Sequence, residues 1–187
     1  MAKTYTAKRK GTRVTTGMVR LSYAHLLEAK AISEGQDPKF SVSLIIPKTD
    51  KDTLTALKEA IAEAKEYGKT SKFKGKIPAG LKSPVRDGDE ERPDDDAYAN
   101  SYFLNANSTQ KPQVVGLKGE KIDPEDIYSG MYARVSINFF PYATGGNQGI
   151  GAGLGNVQKV DDGERLGGGE TAANDFDIDE DDDEYEF

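Results

Sequence analysis

The stretch "GMYARVSINFFPYA", residues 130–143, alternates two kinds of side chain. Met131, Ala133, Val135, Ile137 and Phe139 are apolar, while Tyr132, Arg134, Ser136, Asn138, Phe140 and Tyr142 hold the even positions. Alternate residues of a strand take opposite faces of a sheet, so the odd set predicts a core face and the even set a face turned outward. Outward rings beside an arginine can stack bases while the cation holds phosphate, a chemistry indifferent to base order and worth roughly 1–3 kcal/mol per base. Phe140 and Tyr142 could equally lie beneath a loop or helix, and the pattern leaves both readings open.

A second combination of the same kind is "KTSKFKGK", residues 69–76, where Phe73 stands between Lys72 and Lys74 with Lys76 close behind. Aromatics interleaved with cations suit a groove for a single strand, one group for the base and one for the backbone; a merely solvated charge run is the plain alternative. The chain start adds more cations, since six Lys or Arg, Arg13 and Arg20 among them, precede the first acid, Glu28. The candidate phosphate contacts are therefore Arg13, Arg20, Lys72, Lys74, Lys76 and Arg134, and the candidate stacking rings are Phe73, Tyr132, Phe140 and Tyr142.

Net charge alone points the other way, to an acidic protein, at -7 over 187 residues. The sum hides a division. Residues 161–187 carry 13 Asp and Glu against one Arg, whereas the preceding 160 residues hold 24 Lys and Arg against 19 acids, a net of +5. A basic body favours a polyanion such as nucleic acid, and an acidic tail competes with it. The closing "NDFDIDEDDDEYEF" sets Asp181, Asp182 and Asp183 beside Tyr185 and Phe187. Read as a module, those rings are anchors for a partner protein and the carboxylates steer the encounter; an inert solvated tail is the alternative.

Other clusters carry less. "VRDGDEERPDDDAY" concentrates Asp87, Asp89, Glu90, Glu91, Asp94, Asp95 and Asp96, oxygen donors that could hold a hard cation for a metal-dependent nuclease or recombination enzyme. Their spacing departs from the calcium-loop pattern, and Arg86 and Arg92 can pair with them, so a salt-bridged loop is the favoured reading and no metal site is assigned. The glycines of "GGNQGIGAGLG" lack the Gly-Lys-Ser/Thr ending of a phosphate loop and the following helix of a dinucleotide fingerprint; close backbone packing or barrel curvature explains them better. With no cysteine and one histidine, His25, there is no disulfide, little material for zinc, no catalytic triad and no implied cofactor. No run approaches the ~20 apolar residues of a membrane span, and the N-terminus lacks the apolar middle of a secretion signal. A non-enzymatic cytoplasmic protein is the expectation.

The elements that must position these residues are short and mostly extended. Residues 1–12 read as a flexible basic arm. "RVTTGMVRLSY" reads as a strand with Val19, Leu21 and Tyr23 on one face and Arg20 and Ser22 on the other; "HLLEAKAISEGQDPK" is ambiguous and could hold a helical turn. "KFSVSLIIPK" is a strand closed by Pro47. "KDTLTALKEAIAEAKEYG" places Leu54, Leu57, Ile61 and Ala64 at helical spacing, with Thr49 or Asp50 to cap its start and Gly68 just past its end. Residues 98–107 and 130–142 read as strands, "TGGNQ" as a hairpin turn and "GIGAGLGNVQKV" as the closing strand. About five strands with one inserted helix predict a mainly β protein with a small, partly open OB-fold-like barrel over residues 13–160, followed by a disordered acidic tail, 161–187; a sandwich has the same strand count.

"VRLSYAHLLEAKA", "KFSVSLIIPK", "RDGDEERPDDDAY", "NANS", "IYSGMYARVSINFFPY" and "GIGAGLGNVQKVDDGERLGG" together resemble the blocks of a family of bacteriophage and prophage single-stranded DNA-binding proteins, over about residues 12–169. That resemblance implies an oligonucleotide-binding fold and sequence-tolerant binding of single-stranded DNA in phage replication or recombination. It also implies an acidic tail of the kind that recruits phage or host replication proteins, and work in the cytoplasm of a bacterial host. A homo-oligomer is compatible with all of it. No residue-level site map comes with the resemblance, so the contact residues rest on the strand-face argument. A third reading is an inhibitory phage protein whose acidic tail mimics DNA.

Overall fold

The computed structural model describes residues 5–31 and 34–166. Nine strands form one sheet: β1 (Lys8–Lys10), β2 (Arg13–Thr15), β3 (Val19–Lys30), β4 (Lys39–Pro47), β5 (Arg86–Asp87), β6 (Ser101–Ser108), β7 (Val114–Val115), β8 (Tyr132–Thr144) and β9 (Asn147–Asp161). The order is β1-β2-β8-β3-β4-β6-β9-β7, with β5 beside β6 and a further β8–β9 pairing. Strands β3, β4, β6, β9 and β8 thus form a ring. It is only partly closed, because β6 and β9 meet at the single parallel pair Asn107–Gly153. This is the mainly β, five-stranded OB-like architecture that the strand count suggested.

Alternation sorts the ring into an inside and an outside. Leu21, Val42, Leu44, Ile46, Leu104, Ala106 and the odd residues of β8 from Ala133 to Phe139 fill the interior. Over them lies α1 (Lys51–Ser71), which buries Leu57, Ala60, Ile61 and Ala64 in the same core. Asp50 caps it by accepting a hydrogen bond from the Thr53 amide. Gly68 does not end this helix. It lies inside it, where any Cβ would strike the Phe73 ring and Pro141, so the missing side chain is a packing requirement.

Two local expectations fail for the same kind of reason. β3 continues as a strand to Lys30 where a helical turn was conceivable. Within it the register to β4 steps from Ser22–Ser43 to His25–Ser41, so β3 carries one extra residue, a β-bulge. Tyr23 occupies the bulge at φ 46 and is 55% exposed, not on the core face with Val19 and Leu21. The N-terminal segment is likewise no free arm over its described part: β1 pairs with β2, and Arg9 bridges Glu59 at 3.2 Å and Glu63 at 2.7 Å on α1.

A second apolar cluster sits outside the ring. Ile45 and Phe103 point outward and are covered by Tyr98, Ala97 and Leu166, with Tyr98 edge-on to Phe103 at 5.0 Å. Tyr98 belongs to a 3₁₀ turn, Asp96–Tyr98, before β6 starts at Ser101.

Candidate nucleic-acid interface

The turn at the β8–β9 hairpin is Gly145-Gly146, both at positive φ, the geometry of a two-residue hairpin. It fixes a register that pairs Tyr142 with Gly149, Phe140 with Gly151 and Asn138 with Gly153. Each glycine answers a ring or a backbone. A Cβ at Gly149 would meet the Tyr142 ring, and one at Gly151 the Phe140 ring, so both aromatics lie across the neighbouring strand where only glycine leaves room. Phe140 remains 42% exposed. One face of its ring rests on the sheet and the other is open, a geometry in which stacking a base needs little further ordering.

Several cations lie near this end of β8. Lys72, Lys74 and Lys76 are exposed in the turn whose Phe73 packs beside Pro141, and Lys82 bridges to Gly149, the residue beneath Tyr142. Arg13 pairs with Asn138, two residues from Phe140. Among the described residues none of Arg13, Lys72, Lys74, Lys76 and Lys82 has an ion-pair partner.

Phe73 itself departs from expectation. It is 4% exposed and part of the core, so its ring is an anchor that holds the lysines in place and offers no face to a base. The far end of β8 also differs. Arg134 donates through Nε to the Thr16 carbonyl at 3.1 Å and through Nη2 to the Thr6 carbonyl at 3.2 Å, with its guanidinium 5.5 Å from the Tyr5 ring centre. Arg20 donates to the carbonyls of Gly130 and Glu164 at 3.2 and 2.7 Å and lies over Tyr132 at 5.7 Å. Arg20, Tyr132 and Arg134 thus hold the N-terminal segment and residues 163–165.

Register reveals what residue types alone did not. Lys10, Arg13, Asn138, Gly153, Asn107, Ser41 and His25 are successive cross-strand partners on β1, β2, β8, β9, β6, β4 and β3. At a strand spacing of ~4.8 Å this outward row runs roughly 29 Å, and none of its members is buried. Every side chain in it is small, polar or cationic. Phe140 stands two residues from Asn138, and the bulged Tyr23 two from His25. Sequence reading missed Tyr23 because a bulge leaves no composition signal, and it assigned no outer face to β6, where the alternating Asn105 and Asn107 were the available signal.

Arg92 was also misplaced. Its guanidinium lies 5.9, 5.6 and 5.5 Å from the rings of Tyr23, Tyr98 and Phe103, and no ion pair involving it occurs among the described residues. Three of the acids near it are taken by others: Lys48 bridges Asp87 at 2.9 Å and Asp89 at 2.8 Å, and Arg86 holds Glu91 at 2.7 Å. Hydrogen bonding to Lys48 lowers both aspartate pKa values, and bonding to Arg86 lowers that of Glu91. Asp87 and Asp95 further cap the amides of Asp89 and Ala97. Acids so occupied form a salt-bridged scaffold, the favoured of the two readings. Among the described residues no group of three or more His, Asp or Glu is placed to hold a metal. Asp181, Asp182, Asp183, Tyr185 and Phe187 lie outside the described residues.

Comparison with solved structures finds the single-stranded DNA-binding protein of bacteriophage Enc34 in complex with ssDNA, 25% identical, with a TM-score of 0.71 over 89% of this chain and 100% of that one. The single-stranded DNA-binding protein gp2.5 of bacteriophage T7 shares the fold at 17% identity, with a TM-score of 0.60 over 96% of this chain and 100% of that one. Curated protein sequences give no match. The family model described as the ssDNA-binding protein of Enterobacter phage Enc34 matches residues 12–186, and with nearly the whole chain matched, this protein belongs to that family.

Proposed function

We propose that this protein binds single-stranded DNA without regard to sequence along the outer row from Lys10 to His25, with bases stacked on Phe140, Tyr142 and Tyr23. Arg13, Lys72, Lys74, Lys76 and Lys82 hold the phosphates. The observation that carries the reading is the hairpin end of β8, where a half-open aromatic is fixed over glycine beside cations that have no ion-pair partner among the described residues. Rings supply sequence-tolerant stacking and cations supply the salt-dependent attraction. The protein acts by binding and not by catalysis, in phage DNA replication or recombination in the cytoplasm of a bacterial host. Among the described residues no helix is long and apolar enough to cross a membrane.

The acidic residues 170–186 compete with DNA for the cationic surface and recruit replication or recombination proteins. Leu166 packs against Ile45, Tyr98 and Phe103 on the outer side of the sheet, so the chain enters its acidic segment beside the proposed DNA face. Titration of a fluorescent oligothymidine over a salt series tests the whole reading. Affinity should fall with a log–log slope of about -0.7 per neutralised phosphate; salt-insensitive binding, or a preference for duplex, would overturn it.

A further inference from the structure

Charges on α1 are sorted by side. Glu59 and Glu63 pair with Arg9, and Asp52 accepts the Ala7 amide, so these three acids face the N-terminal segment. Lys51, Lys58 and Lys65 recur at every seventh residue along the other side, and none has an ion-pair partner among the described residues. These lysines rim a groove of about 540 Å³ floored by Leu54, Ile61, Val85 and Tyr102, a volume in the range of small-molecule and side-chain pockets. The groove is not an extension of the DNA face. Tyr102 and Phe103 are consecutive in β6 and take opposite faces, and the outward row lies on the Phe103 side.

We infer that this groove docks the protein's own C-terminal end, with Tyr185 and Phe187 on its apolar floor and the carboxylates of residues 181–186 against Lys51, Lys58 and Lys65. Three observations select this occupant. A cationic rim around an apolar floor suits an acidic segment that carries rings, and the last residues of this chain, "DDDEYEF", have that composition. Leu166, the last described residue, packs in the cluster of Phe103, and Tyr102, its neighbour in β6, lines the groove. The remaining 21 residues reach up to ~70 Å at full stretch, against a sheet thickness on the order of 10 Å. An end held there stretches the intervening acids past the DNA face, which makes the competition proposed above a property of an anchored strap.

The inference rests on the tail's role as a docking module, and its test is read without DNA so that failure to dock and failure to bind DNA are separate results. Full-length protein carrying Phe187→p-benzoylphenylalanine is irradiated, and crosslinked peptides are mapped by mass spectrometry. Crosslinks in the monomer band to Leu54, Lys58, Ile61, Lys65 or Tyr102 are expected. Lys58→Glu combined with Lys65→Glu should reduce their yield roughly tenfold, the scale of two lost surface ion pairs, with an unchanged melting temperature. Crosslinks to Phe140, Tyr142 or residues 72–76, their appearance only in a dimer band, or no crosslink at all would each overturn the assignment.

Discussion

The two ends of β8 carry the same alternating pattern and are put to opposite use. At the hairpin end Phe140 and Tyr142 lie across glycines, beside cations with no ion-pair partner among the described residues. Roughly 20 to 33 Å away along the strand, at ~3.3 Å per residue, Tyr132 and Arg134 are enclosed by contacts to Arg20, Thr16 and Thr6. Alternation decides which face a side chain takes, but it is silent on what covers that face. The N-terminal segment and residues 163–165 cover one end and leave the other open.

The sharpest way to break this contrast is at the anchor of the open end. Phe73→Ala removes a ring buried against Pro141 and should cost about 3–5 kcal/mol of stability, the usual range for such a core truncation, measured by urea unfolding. A variant of native stability with weakened DNA binding would instead restore Phe73 as a stacking ring. Next in size is Phe140→Ala, expected to cost roughly 1–3 kcal/mol of oligothymidine binding, about 5- to 150-fold in Kd, with little change in melting. Its counterpart Arg134→Gln should do the reverse, lowering stability by roughly 1–3 kcal/mol through two lost charged hydrogen bonds while the salt slope of DNA binding stays put. Equal effects of both on DNA affinity would merge the two ends into one platform.

How far the sequence disclosed this site follows from the range over which each signal acts. The β8 alternation and the Gly-Gly turn are local, and the five-stranded ring came with them. So was the reading of the 149–155 glycines as sites of close packing, since the rings they accommodate lie directly opposite. Phe73 misled because its sequence neighbours are lysines, while its packing partner Pro141 is 68 residues away. Gly68 misled likewise, as a helix-stop signal used for contact. Arg92 has acids on both sides in sequence, but in space its guanidinium lies over three rings. The outward row is invisible until register is known, since its seven residues come from seven strands.

A smaller effect grades the open end itself. Replacing Lys72, Lys74 and Lys76 together by Ser should flatten the salt slope by about 2, at ~0.7 per phosphate contact. An unchanged slope would confine the phosphate contacts to Arg13 and Lys82.

The smallest expected effect reports how far along the row the DNA travels. His25 ends the row on β3, opposite Ser41, and its pKa lies below the ordinary 6.5, first because burial disfavours the charged form and second because Lys30 repels the proton. With the folded value lowered, the unfolded chain takes up the proton first. The neutral imidazole therefore contributes its full share of stability above the ordinary value and loses it as the pH falls below 6.5 toward the folded value. Phosphates laid along Asn107, Ser41 and His25 would act in the opposite sense to Lys30 and draw the proton back. Titration of the single histidine by NMR, free and with oligothymidine, should show its pKa rising on binding, accompanied by proton uptake between its free and bound values. A histidine indifferent to DNA would end the path at Asn138 and make Phe140 and Tyr142 the whole of the stacking surface, with Tyr23 a product of the bulge alone.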